Sequence, residues 1–361
     1  MKKAEILIIG AGPAGLGAAI EASRLGAKVI LLDENKKAGG QLFKQIHKFF
    51  GSKQHYAGVR GFQIGEELLK QAKDLGVEVM LDARALGLLD DGSMAVLDKG
   101  RLTHIGAKKI ILATGARENA VSFPGWTLPG VMTAGAAQTF SNVYGTLVGK
   151  NILMVGTGNV GLIVSYQLMQ AGATVKGLVE VVPRVSGYGV HAGKIKRAGV
   201  PIWTSHTVVE ARGDKRVQEA IIAQVDEKFK PIPGTERSLE VDTILLAVGL
   251  TPKVELARMA GCKLTVEPAL GGHLPLHNEE MKTSNQNVYV CGDIAGVEEA
   301  NTALDEGRLA GLSAARALGY GDEVTDARKE EFNAGLCALR MGTFGEKRLA
   351  CKERIMKEWS W

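Results

Sequence analysis

Two glycine-rich turns of one design constrain this chain more than any other feature. Gly10-Ala11-Gly12-Pro13-Ala14-Gly15 follows the apolar run 6–9, and Gly156-Thr157-Gly158-Asn159-Val160-Gly161 follows the apolar run 152–155. Each turn has a strand pattern before it and a helix pattern after it, the setting in which such a motif takes a dinucleotide. The first glycine allows the tight turn, the second lets a pyrophosphate approach the backbone, and the third lets helix and strand pack closely. The helix N-terminus then offers free N–H groups and the positive end of its dipole to the phosphates. Two copies, 146 positions apart, predict two Rossmann-like domains whose nucleotide sites face each other.

The hydrophobic pattern supplies the rest of the frame. A first β-α-β unit reads as strand 6–9, helix 14–25 and strand 28–32, closed by Asp33, with Glu34 as the fallback acid. An acid at this point suits the ribose hydroxyls of an adenosine. Gly39-Gly40-Gln41-Leu42 reads either as a plain turn or as a close backbone approach to a flat ring or its side chain. A helix over 66–75, a strand over 77–81, a hairpin pairing 93–97 with 101–105, and a buried strand over 110–113 leading into Thr114-Gly115 follow. Phe123-Pro124-Gly125 and Pro129-Gly130 read as a crossing linker. The second unit reads as strand 152–155, helix 160–171 and strand 174–179, closed by Glu180. A carboxylate there repels a 2′-phosphate and favours NAD(H) over NADP(H), a preference that nearby Arg184 weakens. Strands over 201–205, 217–225 and 243–248 lead to Gly249 and Pro252. A strand over 287–290, Cys291-Gly292-Asp293 and a helix over 300–318 close the pattern. The expected fold is α/β, with two Rossmann-like dinucleotide-binding domains, the second inserted in the first. The first covers 1–118 and 252–330, the second 119–251, and 331–361 forms a tail.

Composition excludes several classes. The 361 residues are 45% hydrophobic and 23% charged, ordinary for a globular protein, and the net charge of +5 comes with no nucleic-acid motif. No run of 18 apolar residues is present, and the first strand is too short and too committed to its glycine turn to be a leader, so a cytoplasmic location is expected. The cysteines Cys262, Cys291, Cys337 and Cys351 form no Cys-x-x-Cys pair, and the seven histidines show no ligand spacing, so no metal is expected. From Lys36 to Gly65 there are six Lys or Arg and no acid, with His47, Phe49, Phe50, His55 and Tyr56 interleaved. This stretch reads either as a solvated face or as a basic lip for an anionic ligand or acidic partner.

Six phrases in order carry a resemblance: GAGPAG (10–15), LLDENKKAGGQ (31–41), ILATG (111–115), VGTGNVG (155–161), LAVGLTP (246–252) and VYVCGDIAG (288–296). Over residues 4–319 the chain resembles flavoproteins with two dinucleotide-binding domains, the group of thioredoxin and glutathione reductases. The resemblance implies FAD on Gly10, Gly12, Pro13, Ala14, Gly15, Asp33, Glu34, Gly40, Gln41, Ala113, Thr114, Gly115 and Gly292. It puts Asp293 on the ribityl chain, and Glu299, Ala300, Asn301 and Thr302 near the pyrimidine edge. A second nucleotide, NAD(H) or another adenine nucleotide such as ATP, is implied on Gly156, Gly158, Asn159, Val160, Gly161 and Glu180. The dithiol of the disulfide reductases is missing. ATGARE (113–118), PGWTLPGVMTAGAAQ (124–138) and EGRLAGLSAA (306–315) are instead similar to the α-subunits of sarcosine oxidase, hydrogen cyanide synthase, opine oxidase and proline or hydroxyproline dehydrogenase complexes.

That branch implies an FAD-dependent oxidoreductase acting as the electron-transfer subunit of a dehydrogenase or oxidase for an amino-acid- or amine-like substrate. Its partners would be a companion flavoprotein and a small iron–sulfur protein, since only Cys337 and Cys351 follow the flavin domain. Hydride transfer between stacked rings demands no side-chain acid or base, so no catalytic residue is singled out. Two alternatives stand beside this reading: a stand-alone NADH-dependent flavin reductase or oxidase, and an assembly subunit with a structural or regulatory nucleotide in the second site. The ending carries Phe344, Leu349, Ile355, Met356, Trp359 and Trp361 among five basic residues. It reads either as a strap on the chain's own flavin domain or as a docking element for a partner.

Overall fold

The computed structural model describes residues 2–49, 51–342 and 345–359; Phe50, Phe344 and Trp361 lie outside them. The chain divides into two compact units, one of residues 1–117 with 251–361, the other of 118–250.

The first unit is built on strand Lys2–Ile9, which is flanked in parallel by Val29–Asp33 and Arg101–Leu112. Glu78–Leu81 extends the sheet on one side, and Val288–Val290 adds to Arg101–Leu112 in parallel. Met94–Asp98 and Ala83–Leu88 continue it antiparallel. Ile6, Leu7 and Ile8 are fully buried, as expected of a parallel strand covered on both faces. Helix Pro13–Arg24 covers the sheet and lies directly against helix Ala300–Arg316. Their contact leaves no room for side chains: a Cβ on Gly307 or Gly311 would strike the carbonyl oxygens of Ala14 and Ala18.

Two further helices, Glu323–Leu339 and Glu346–Trp359, complete this unit. The first begins with Asp322, whose side chain accepts from the Thr325 N–H. The second buries Cys351 and Ile355 against Leu270, Leu274 and Leu276. The described part of the ending, 345–359, therefore packs as a strap on the chain's own fold.

In the second unit all five strands of the main sheet are parallel, in the order Ile202–Thr204, Thr174–Glu180, Asn151–Val155, Thr243–Leu246, Val131–Thr133. A separate antiparallel sheet joins His206–Arg212, Glu219–Gln224 and Arg237–Glu240. Helix Ala134–Asn142 is held at its start by Glu118, which accepts from Thr133 Oγ1 at 2.6 Å and from the Gly135 N–H at 2.7 Å. Among the described residues no helix is long and apolar enough to cross a membrane.

Candidate functional site

The two glycine turns obey the same rule. Gly10 and Gly156 have φ of +107° and +103°, and a Cβ on either would strike a carbonyl oxygen, of Ala113 or Ala247. A Cβ on Gly15 or Gly161 would strike the carbonyl of Gly10 or Gly156. The fold itself demands these four glycines. The middle glycines differ. Gly12 (φ −75°, ψ −176°) and Gly158 (φ −62°, ψ 171°) have backbones open to any residue. A Cβ on Gly12 would have Gly40 Cα, 3.8 Å away, as its nearest neighbour, and one on Gly158 would have no atom within 4 Å. Among the described residues no atom requires glycine at these two positions. A pyrophosphate lying on the turn does, and each turn opens a helix without a side-chain cap. Both turns thus fit a dinucleotide.

Around the first turn the other residues gather as follows. Asp33 is buried; its Oδ2 accepts from the Ala11 N–H at 2.6 Å and its Oδ1 from the backbone and side-chain N–H of Asn35 at 2.8 Å each. Glu34 is exposed and pairs with Arg84 and Lys253, so of the two acids it is Asp33 that reaches the turn. Gly39 donates to the Ala11 carbonyl at 2.7 Å, and a Cβ on Gly40 would sit 2.7 Å from Gly12 Cα. Gln41 is exposed beside it. Ala113 donates to Ile9 and abuts Gly10. Thr114 Oγ1 donates to the Lys253 carbonyl, and Lys253 N–H to that of Gly115.

On the far side of the helix pair, Gly292 (φ +74°) packs so closely on Ala14 that a Cβ would lie 2.9 Å from the alanine methyl. Asp293 stands on the turn Gly292–Ala295 and accepts one long hydrogen bond, from the Glu298 N–H at 3.4 Å. Desolvation, with the charges of Glu306, Glu299 and Glu298 beside it, pushes the Asp293 carboxyl up to about 7. Glu299 precedes helix Ala300–Arg316 without capping it by its side chain, and Thr302 Oγ1 donates to the Glu299 carbonyl at 2.7 Å. Ala300 and Asn301 line a small cavity together with Pro13, Leu42, His55 and Tyr56.

His55 is visible in the sequence only as one residue of a basic stretch; Asp305 gives no signal at all. The fold brings His55 Nε2 to 2.7 Å from Asp305 Oδ2, while Ser52 Oγ lies 2.9 Å from Nδ1 and Arg308 pairs with Asp305 at 2.9 Å. Both members of the pair are buried. This pair pins the 52–56 loop to the helix that lines the cavity, and its 250-residue separation explains why no local pattern reveals it.

In the second unit Glu180 is buried. Its Oε2 accepts from the Thr157 N–H (3.0 Å), Thr157 Oγ1 (2.6 Å) and Ser186 Oγ (3.0 Å), and its Oε1 from the Val182 N–H (3.3 Å). The segment 186–188 closes on the turn: Gly187 donates to the Thr157 carbonyl and Tyr188 to Asn159 Oδ1. Val160 and Arg184 are exposed. Among the described residues no cluster of three His, Cys, Asp or Glu is placed to hold a metal. Cys291 is buried, and desolvation, then Glu306, pushes its thiol well up, so it is a packing residue.

With this geometry in hand, the class is defined: the chain belongs to the pyridine nucleotide-disulphide oxidoreductase family, matching it over residues 4–307. It is an FAD-dependent oxidoreductase with a second, pyridine-nucleotide type of fold, as the motifs indicated. It is 31% identical to an opine oxidase subunit of Agrobacterium tumefaciens (strain Ach5), over 86% of this chain and 65% of that one. It is 31% identical to the hydrogen cyanide synthase subunit HcnB of Pseudomonas aeruginosa (85% and 70%) and 32% identical to the alpha subunit of sarcosine oxidase from Corynebacterium sp. strain P-1 (88% and 33%). The chain thus spans just under two thirds of the first relative and a third of the last. The structure of T. acidophilum thioredoxin reductase shares its fold, with a TM-score of 0.72 at 22% identity over 88% of this chain and 99% of that one.

Proposed function

We propose that this chain is the electron-transfer subunit of a multi-subunit dehydrogenase or oxidase acting on an amino-acid- or amine-like small substrate. The observation that carries the reading is a combination. The chain keeps the fold of the disulphide reductases but has no Cys-x-x-Cys pair, and the three relatives above are named as subunits of oxidases or of a synthase. A companion flavoprotein oxidises the substrate, and a small iron–sulfur protein or NAD takes the electrons.

FAD supplies the redox chemistry when bound; the residues of the chain hold and orient it. Gly12 leaves the pyrophosphate its path, and the uncapped start of helix Pro13–Arg24 faces it. Asp33 accepts from the adenosine ribose, and Asp293 from the ribityl chain. The N-terminus of helix Ala300–Arg316, at Glu299, Ala300 and Thr302, would favour negative charge on a bound flavin ring. Gly158 plays the part of Gly12 for a second nucleotide.

Co-purification from the native host, with absorption spectra of the product, tests this reading. A companion flavoprotein retained with the chain supports it. If the isolated chain instead oxidises NADH rapidly with a dye as acceptor and no companion co-purifies, it is a stand-alone reductase. The open second turn makes that the next reading.

A further inference from the structure

Glu306 lies behind the turn that carries Asp293 and is 2% exposed. Its Oε2 accepts from the Gly292 N–H at 2.9 Å, while its Oε1 receives Lys352 Nζ at 2.6 Å and Arg340 Nη2 at 2.5 Å. Lys352 Nζ also donates to the Ala295 carbonyl at 2.9 Å, so the lysine grips both the acid and the far end of the turn. Arg340 completes its fork on Glu298 at 2.8–3.0 Å. Two carboxylates and two cations are therefore buried together and balanced. Burial pushes the Glu306 carboxyl up, and Lys352 and Arg340 more than offset this, leaving it below the usual range.

Both cations come from residues beyond 307, where the match to the family ends. Helix Glu346–Trp359 already docks through Cys351 and Ile355. Burying an ammonium costs several kcal/mol before its partners compensate, and an apolar side chain of similar volume often serves stability as well or better. A lysine that is 2% exposed amid such contacts is poorly explained by docking alone.

We propose that Lys352, with Arg340, is a positioning residue for the FAD site. The two cations keep Glu306 ionised and aimed, its second oxygen holds the Gly292 N–H, and that bond fixes the turn from which Asp293 faces the ribityl chain. The inference rests on the role given above to Gly292 and Asp293.

The test uses the full chain with FAD. Lys352→Met should weaken FAD binding about ten-fold or more, as expected for loss of a charge-assisted hydrogen-bond network. Lys352→Arg should restore most of it. The double variant Glu306→Met with Lys352→Met leaves Arg340 paired with Glu298 and so separates stability from positioning. It should melt near the wild-type apoprotein, yet bind FAD more weakly and show a shifted flavin midpoint potential. If it binds FAD with wild-type affinity, spectrum and potential, Lys352 is a docking residue only and the inference falls. Asp293→Ala is the control: if it too leaves FAD affinity unchanged, the site reading itself is wrong, not merely the part assigned to Lys352.

Discussion

Alanine at Gly10 and at Gly12, two residues apart in one turn, should act in different ways. Gly10 has φ +107°, and its Cβ would collide with the Ala113 carbonyl oxygen. An L-residue held in so sparse a region costs about 1–3 kcal/mol, and the collision adds to that. Gly12 sits at φ −75°, ψ −176°, with Gly40 Cα at 3.8 Å as the nearest neighbour of a built Cβ. Alanine there is unstrained, and what it gains by reducing the freedom of the unfolded chain, about 0.4–1 kcal/mol, is offset by its poorer fit at a helix N-cap, so its net effect on the fold is near zero. The two apoproteins should thus differ by roughly 1–3 kcal/mol or more, or about 2–12 °C in melting temperature at about 2–4 °C per kcal/mol. FAD retention should run the other way. Gly12→Ala should be a stable, colourless protein, because its methyl group occupies the approach of the pyrophosphate. Thermal melts of FAD-stripped protein and fluorescence titration with FAD measure both. If Gly12→Ala is destabilised as much as Gly10→Ala, or is as yellow as wild type, the open space at Gly12 is not the ligand's.

The Asp293 carboxyl, raised to about 7 in the folded apoprotein from an ordinary 3.8, stabilises the fold while protonated; that contribution is full below about 3.8 and is lost as pH rises through 7. A donor from the ligand favours the ionised form, so FAD affinity should rise between about pH 6 and 8 in wild type and stay flat in Asp293→Asn; a flat wild-type profile sinks the assignment. Removing residues 346–361 takes Lys352 from Glu306 and uncovers Leu270, Leu274 and Leu276. Loss of soluble protein is expected, since orphaning a buried charge costs about 3–5 kcal/mol. A soluble, yellow truncation that merely loses a partner would restore the docking role of the tail. In the second unit, NADH should bind better than NADPH. Glu180→Ala should narrow that gap only modestly while clearly destabilising the unit, and a wild type that prefers NADPH or ATP would refute the nicotinamide assignment.

The frame was legible because its signals are local. A strand, a glycine turn and a helix announce themselves within some twenty residues, and the run 6–9 is the buried heart of a strand that spans Lys2–Ile9. The hairpin turn at Lys99-Gly100 was legible for the same reason, with Leu97 opposite Leu102. The segments 101–105 and 110–113, read as two strands, form one continuous strand, Arg101–Leu112, because its polar middle stays in register with Lys2–Ile9. Ala83–Leu88 was missed because its alternation is broken by a bulge between Ala85 and Gly87. The stretch between Phe123 and Gly130 is a turn segment, but Val131–Thr133 and Ala134–Asn142 behind it are a strand and a helix. The His55–Asp305 pair and the cations on Glu306 were illegible for one reason: the partners lie between 34 and 250 positions apart, and only packing brings them together.

The two turns also show why an acid at the end of the second strand is a weaker guide to nucleotide choice than it looks. In both units the acid first serves the fold, by accepting the N–H of the residue between the first two glycines: Ala11 to Asp33, Thr157 to Glu180. An ionised carboxylate has about four lone-pair sites. Asp33 receives three donors and keeps one site for a ribose hydroxyl. Glu180 receives four, but three of them, two from the hydroxyls of Thr157 and Ser186, crowd Oε2, and Oε1 takes only the long bond from the Val182 N–H at 3.3 Å. What Glu180 offers a ligand is therefore its charge and the lightly used Oε1. Selection of a ribose diol over a 2′-phosphate by charge is a Coulomb effect, which fades with rising ionic strength in proportion to how far solvent reaches the pair. A gap set by charge should accordingly shrink between low and high salt, whereas a hydrogen bond donated by a ribose hydroxyl to Glu180 Oε1 would leave the NADH-over-NADPH gap largely unchanged.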